Sequence, residues 1–197
     1  MSNNKLAFKH KKPLRRTLGL DLGSVNTALS LIVGNKTIKI KHAEMVPPTL
    51  RDLKDPVFDS QMKAMRQTII KMLDKHKPNE VMAERYMNRG IKGVQVEILG
   101  LLLGCLATLC INRKIPLRLV TASSWKNSIN RQHPGTLDRF YRYFPISKRH
   151  RVDAILIGLY CRSKIYDVKH IRIVEKYISK MEGSYGQPKP ARAKVIK

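Results

Sequence analysis

Three short apolar runs of this chain each carry a carboxylate at one end. The run at 18–21 ends in Asp21, the run at 81–84 ends in Glu84, and the run at 153–160 begins with Asp153. Burying a carboxylate beside apolar residues is costly unless it is paired or bound to a metal. The sequence therefore predicts a fold in which these three acids, distant along the chain, meet at one site that compensates their charge.

The chain is also strongly basic. Its 197 residues include 39 Lys and Arg against 14 Asp and Glu, so the formal net charge is +25. This imbalance favours nucleic acid as the partner. A generally solvated basic surface or an anionic membrane is the alternative, but no amphipathic basic helix or lipidation signal supports the membrane. A divalent-metal site on a nucleic-acid-binding surface is typical of a nuclease.

The composition of the chain and its Gly- and Pro-rich terminal segment predict one cytoplasmic domain with basic ends. The cysteines lie in apolar contexts without metal-ligand spacing, which favours a reducing compartment and argues against zinc. No signal peptide is evident, and the apolar stretch 98–111 is too short to span a bilayer. We expect a flexible basic arm at 1–14, a globular domain at 15–182 and a disordered basic tail at 183–197.

Periodicity and turn signals predict an α/β domain with a mixed sheet. Apolar runs at 16–22, 28–33 and 37–42, joined by short turns, favour three strands in an antiparallel meander, and the prolines after 44 favour a loop. Alternating helices and strands then follow. We expect helices at 61–75, 94–112, 123–129, 149–166 and 167–180, strands at 81–84 and 117–120, and a loop or short helix at 135–147.

The predicted strands place two of the acids at strand ends. If the strands that end in Asp21 and Glu84 are neighbours, both carboxylates project near one sheet edge. His150 lies one helical turn before Asp153, so these two share a helix face. Mg²⁺ and Mn²⁺ prefer oxygen ligands, and two ions roughly 4 Å apart are a common device for phosphodiester cleavage. His150 could be a ligand or a proton shuttle.

Each of these residues also has a structural alternative. Asp21 could satisfy the amides of a turn, Glu84 could pair with a neighbouring arginine, and Asp153 could offset a helix dipole. His150 lies among basic residues and could contact a phosphate instead of a metal.

These residues resemble the RuvC family of Holliday-junction resolvases, within the ribonuclease H-like superfamily. The resemblance lies in residues 18–27, 81–87 and 150–158, whose order and spacing match over roughly residues 16–165. It implies a ribonuclease H-like mixed sheet, antiparallel in its first three strands and then parallel. It also implies a Mg²⁺-dependent homodimeric endonuclease, with two ions per active site and Mn²⁺ as a substitute, that resolves four-way DNA junctions by paired nicks.

The resemblance assigns roles residue by residue. Asp21, Glu84 and Asp153 match the metal carboxylates, and His150 fills the place of an Asp or His three residues before the last acid. Lys126 matches a lysine that orients or stabilises the scissile phosphate. The stretch 131–148 departs from the bacterial enzymes, which indicates a phage or mobile-element relative and leaves the cleavage-site preference open.

A basic and aromatic set is expected to bind the DNA, because cations bind phosphates and aromatic rings stack on unpaired bases. Tyr86 lies near a family aromatic that stacks at the junction centre. Phe140, Tyr141, Tyr143 and Phe144 could stack on bases, although the two phenylalanines could equally pack in the core, and Trp125 is expected to be a packing anchor. The predicted DNA-binding residues are Arg85, Tyr86, Arg89, Lys92, Lys126, Arg131, Arg142, Lys148, Arg149 and Arg151.

The segment 94–112 is apolar nearly all round, which predicts a helix buried on more than one side. It is expected either to be a central core helix or to supply a dimer surface as well, with Gly100 and Gly104 allowing close approach. Two other functions stay open: a ribonuclease H-like nuclease on flaps, forks or RNA–DNA hybrids, and a non-catalytic protein that binds branched DNA.

Overall fold

A computed structural model defines the fold of most of the chain. Nearly all of the predicted basic arm and the whole predicted tail lie outside the described part. The structure describes residues 13–23, 27–46, 58–85, 94–142 and 146–182.

The described residues form a five-stranded mixed sheet with the strand order β3-β2-β1-β4-β5. The first three strands pair antiparallel, and β4 and β5 join them in parallel. This confirms the expected α/β class with its mixed sheet. The strands are β1 (Arg16–Asp21), β2 (Thr27–Val33), β3 (Lys39–Val46), β4 (Glu80–Arg85) and β5 (Leu117–Thr121).

Six helices in the described residues flank this sheet. Five correspond to predicted helices with ends shifted by up to three residues, and the sixth, α4, forms within the stretch left open between loop and short helix. The helices are α1 (Phe58–His76), α2 (Val94–Asn112), α3 (Ala122–Gln132), α4 (Thr136–Arg142), α5 (Ile146–Ser163) and α6 (Val168–Glu182).

Strand β3 is longer than predicted. The prolines at 47 and 48 favoured a loop from residue 44, but the strand continues to Val46, which pairs with Thr27 at the start of β2. The antiparallel partner offers hydrogen bonds along its whole length, and these outweigh the local turn signal.

Alternation along the strands divides the core into two layers. Leu18 and Leu20 of β1 and Val81 of β4 pack in the layer that contains α1 and α2, whereas Met82 packs in the layer that contains α5. Successive side chains of a strand point to opposite faces. Asp21, one residue after Leu20, therefore lies on the α5 face of the sheet.

Helix α5 packs directly against β1 at two glycines. A Cβ on Gly19 would lie 2.2 Å from the carbonyl oxygen of Ala154 and 2.6 Å from the amide nitrogen of Gly158. Ser30 of β2 fixes the same contact, since its hydroxyl donates to the Ala154 carbonyl at 2.8 Å. The absence of a side chain at Gly19 thus lets the helix approach the strand that carries Asp21.

A partly buried ion pair anchors the opposite end of the central strands. The Glu80 carboxylate accepts hydrogen bonds from the Arg15 guanidinium at 2.6 Å and from the Thr17 hydroxyl at 2.6 Å. The Arg162 guanidinium of α5 also donates there, to the carbonyls of Gly34 and Ile32. These contacts tie α5 and the start of β4 to the start of β1.

Among the residues that the structure describes, helix α2 packs against the core along one side. Ile98, Leu102 and Leu106 are buried, whereas Leu101 and Ile111 are 46% and 74% exposed. The predicted burial of this helix on more than one side is therefore not found among the described residues of the single chain. Within the described residues, none of the helices combines the length and apolar character that a membrane span requires.

Candidate active site

The sheet register brings two of the predicted acids together. Strands β1 and β4 are parallel neighbours, and Leu20 pairs with Ala83. The next residue along each strand is Asp21 or Glu84, so the two carboxylates leave the sheet side by side. Glu84 has the same alternation as Met82 and projects to the α5 face, as Asp21 does.

Helix α5 supplies two more groups to this sheet edge. The His150 Nδ1 lies 2.7 Å from the Asp21 Oδ2, across 129 residues of sequence. Asp153, one turn later, is 9% exposed, and Asp21 is 7% exposed. One ligand atom from each of Asp21, His150 and Asp153 can be chosen so that all three lie within 4.8 Å of one another.

Glu84 stands beside this group rather than within it. Its Oε2 accepts a hydrogen bond from the indole Nε1 of Trp125 at 2.7 Å. Burial and the negative charge of Asp21 raise the pKa of Glu84 to about 7. The glutamate therefore shares the electrostatic field of the site even though it is not part of the closest cluster.

Asp153 has a partner on each of its oxygens. The Tyr141 hydroxyl of α4 donates to Oδ1. The ammonium nitrogen of Lys126 lies 3.8 Å from Oδ2. Burial, followed by repulsion from Asp21, raises the pKa of Asp153 to about 6 in spite of these donors.

The site holds more negative charge than its neighbours neutralise. Burial first, and then repulsion from Asp21, raises the pKa of Glu84 and of Asp153, because a buried carboxylate near a second negative charge resists ionisation. The hydrogen bond with Asp21 raises the pKa of His150 above its ordinary value. A divalent cation would relieve the same repulsion, and carboxylate oxygens are ligands that hard divalent cations prefer.

Two residues at the site have contacts that the sequence analysis did not anticipate. Trp125 is fully buried, as expected of a packing anchor, but it also reaches Glu84. Tyr141, considered for base stacking, directs its hydroxyl to Asp153. A buried Trp or Tyr usually finds a hydrogen-bond partner for its N–H or O–H, so the sequence indicated that such contacts would form. This rule does not identify which residue is the partner.

The structure describes several of the predicted DNA-binding residues. Arg85 and Arg142 are exposed at the ends of β4 and α4, and the Arg149 guanidinium lies 5.5 Å from the centre of the Tyr141 ring. Arg131, in the last turn of α3, lines a polar groove of about 420 Å³ with Ser124.

Other members of this set are placed differently or not described. Arg151 is half-buried. Phe140 is 1% exposed, which confirms the alternative that this side chain packs in the core. The remaining residues of interest fall outside the described structure, either entirely or, for Lys148, in their side chains. They are Tyr86, Arg89, Lys92, Tyr143, Phe144 and Lys148.

Solved structures share this fold. The chain is similar to RuvC of Thermus thermophilus in complex with a Holliday junction substrate, with a TM-score of 0.58 and 15% identity over 75% of this chain and 95% of that one. A second structure of the same RuvC has a TM-score of 0.58 and 16% identity over 76% and 96%. The yeast mitochondrial Holliday junction resolvase Ydc2 has a TM-score of 0.55 and 15% identity over 86% of each chain.

The resemblance stated from the sequence is thus confirmed for the fold. At these identities the similarity extends no further than architecture. No family model matches the sequence, and a search of curated proteins found no significant match.

Proposed function

We propose that this chain is a divalent-metal-dependent endonuclease that resolves four-way DNA junctions by paired nicks. One observation carries the proposal: Asp21 of β1 and His150 and Asp153 of α5 bring ligand atoms within 4.8 Å of one another. Two facts support it, the fold shared with two resolvases and the net charge of +25.

The donor set fits hard divalent cations. Asp21, Asp153 and Glu84 would hold Mg²⁺, or Mn²⁺ in its place, with His150 as a nitrogen ligand or proton carrier, and we propose two ions per site. Such ions supply an activated water for attack on phosphorus and stabilise the departing 3′ oxygen. The burial of Glu84 and Asp153 close to the like charge of Asp21, which raises the pKa of both, supports this assignment.

His150 is oriented by its contact with Asp21. Its Nδ1 faces a carboxylate oxygen and therefore carries the proton of that hydrogen bond. Nε2 has no recorded hydrogen bond to any described residue and is left to bind a metal or to move a proton. The tie to Asp21 thus gives the imidazole one orientation, whichever of these roles it performs.

Lys126 is the cation placed to meet the scissile phosphate. Its side chain is 39% exposed, and its Nζ lies 3.8 Å from Asp153. It can therefore reach a phosphate oxygen at the site while it remains within the field of the carboxylates. Charge on the phosphate increases in the transition state, so a fixed ammonium there contributes to catalysis as well as to binding.

The exposed face of α2 supports the proposed homodimer. Leu101 and Ile111 are exposed, and a Cβ added to Gly100 or Gly104 would meet no atom within 4 Å. A second copy could bury these apolar side chains and approach the glycines closely. A two-fold dimer would present two active sites to the opposing strands of a junction with similar symmetry.

The test is cleavage of matched substrates by the wild type and by Asp21→Asn, with Mg²⁺ and with chelator. We expect symmetric nicks in a four-way junction, products with 5′-phosphate ends, and loss of cutting in the variant and in chelator while junction binding persists. Preferred cutting of flaps, forks or RNA–DNA hybrids would favour the ribonuclease H-like alternative. Tight binding without cutting in Mg²⁺ or Mn²⁺ would favour the non-catalytic alternative.

A further inference from the structure

Two of the site carboxylates are each held through one oxygen by an aromatic side chain from another element. Trp125 of α3 donates to Oε2 of Glu84, and Tyr141 of α4 donates to Oδ1 of Asp153. Neither ring belongs to the elements that carry the acids. The two contacts therefore join α3 to β4 and α4 to α5 at the site.

Packing fixes the position of both donors. Trp125 is 0% exposed and lies in the same core cluster as Phe140 and Val152, so its indole has no room to turn. Tyr141 is half-buried against that cluster, and the Arg149 guanidinium covers its ring. The indole N–H can only donate, so the oxygen that it meets stays an acceptor.

The second oxygen of each carboxylate has a different environment. Oε1 of Glu84 makes no hydrogen bond to any described residue. Oδ2 of Asp153 faces Lys126 at 3.8 Å, beyond hydrogen-bond distance. Among the described residues, each carboxylate thus has a donor at bonding distance on one oxygen and none on the other, which gives it a preferred orientation.

We propose that Trp125 and Tyr141 are positioning residues that determine which oxygen of Glu84 and of Asp153 is presented to the metal. The inference rests on the metal-binding part of the proposed function. Groups that orient metal ligands in this way typically contribute 10- to 100-fold to metal affinity. A merely structural role would instead place their whole contribution in the stability of the fold.

Tyr141→Phe separates these roles because it removes only the hydroxyl. Its matched control is Tyr166→Phe, since the buried Tyr166 hydroxyl donates at 2.8 Å to the backbone carbonyl of Leu156 in α5 rather than to a carboxylate. Mn²⁺ affinity is measured by calorimetry on the DNA-free protein, and stability is measured by thermal unfolding.

We expect Tyr141→Phe to weaken Mn²⁺ binding about 10-fold and Tyr166→Phe to leave it unchanged, although both lose a hydrogen bond to α5. Raising the Mn²⁺ concentration should restore the cleavage rate of Tyr141→Phe towards that of the wild type. Unchanged Mn²⁺ affinity in Tyr141→Phe, or an equal loss in the control, would overturn the inference.

Trp125 provides an independent arm because it is the single tryptophan of the chain. Biosynthetic replacement by benzothienylalanine keeps the ring shape and removes the N–H donor. We expect weaker Mn²⁺ binding with unfolding close to that of the wild type, and unaltered affinity would remove Trp125 from the proposal. Wild type that binds Mn²⁺ but cuts no branched DNA would refute the nuclease and leave this inference standing, whereas wild type that binds no Mn²⁺ would refute both.

Discussion

Gly19→Ala tests whether the contact between α5 and β1 sets the geometry of the site. The new Cβ would lie 2.2 Å from the Ala154 carbonyl oxygen, a distance that real Cβ atoms essentially never show. The obstructing atoms belong to the backbone of α5, so no rotamer change relieves the clash. The helix that carries His150 and Asp153 must move away from the strand that carries Asp21.

The size of the effect follows from that distance. Restoring ordinary contact requires about 1 Å of separation, and overpacking of this kind costs typically 1–3 kcal/mol of unfolding free energy. The hydrogen bond from Ser30 to the Ala154 carbonyl is stretched at the same time, which adds about 1 kcal/mol. A shift of about 1 Å among catalytic groups can lower the rate about 100-fold.

The assay combines urea unfolding with calorimetric Mn²⁺ binding, and Ser179→Ala is the control. Ser179 is exposed on α6 and its hydroxyl donates to the Glu175 carbonyl of the same helix, so its replacement should change the free energy of unfolding by less than about 0.5 kcal/mol and leave Mn²⁺ affinity unchanged. Gly19→Ala should lower both stability and affinity. If Gly19→Ala matches the wild type in both, the close approach of α5 does not control the site.

The other predictions concern the proposed phosphate contact, the proposed dimer and an ion pair remote from the site. Lys126→Ala should reduce the cleavage rate more than junction affinity, because its ammonium lies beside Asp153; equal losses in rate and in gel-shift affinity would make it a simple phosphate contact. Ile111→Glu places a charge on the exposed face of α2 and should yield monomers in analytical ultracentrifugation, whereas an intact dimer would locate the interface elsewhere. Burial acts to raise the pKa of Glu80, but hydrogen bonds from Arg15 and Thr17 outweigh it and hold that pKa below its ordinary value. The resulting stabilisation is present above the unfolded pKa of about 4.3 and is lost as the pH falls through the folded pKa. Glu80→Gln should therefore cost about 1–3 kcal/mol in urea unfolding at pH 7 and much less at pH 3, and an equal cost at both pH values would contradict the ion pair.

The juxtaposition of the acids could be predicted because burial rules constrain strands strongly. Leu18 and Leu20 must face a core, and alternation then places Asp21 on the opposite face with Gly19. The pairing of β1 with β4 could only be assumed from the sequence, since strand order is a long-range property that no local pattern determines. Once Leu20 pairs with Ala83, the meeting of Asp21 and Glu84 is a geometric necessity.

The contacts of Trp125 and Tyr141 could not be predicted in the same way. Glu84 lies 41 residues from Trp125, and the bond forms only because α3 packs with its indole against the end of β4. Side-chain direction on a helix depends on which face is buried, and α3 and α4 are too short for periodicity to define that face well. Sequence patterns thus indicated where charge would be buried, but not which donors would hold it.

The positions of the acids could be predicted and those of their hydrogen-bond donors could not, and this difference has a physical cause that also bears on function. A buried carboxylate breaks the rule that charges stay in water, and this violation is visible in the sequence wherever an acid adjoins an apolar run. The groups that compensate the buried charge can be identified only in the folded structure, because a hydrogen-bond donor, a lysine or a metal ligand can come from any element. In this chain the donors that do arrive still leave the pKa of Glu84 near 7 and that of Asp153 near 6. Fold stability alone would favour replacing such acids by apolar residues, so their clustering supports the proposed cation site.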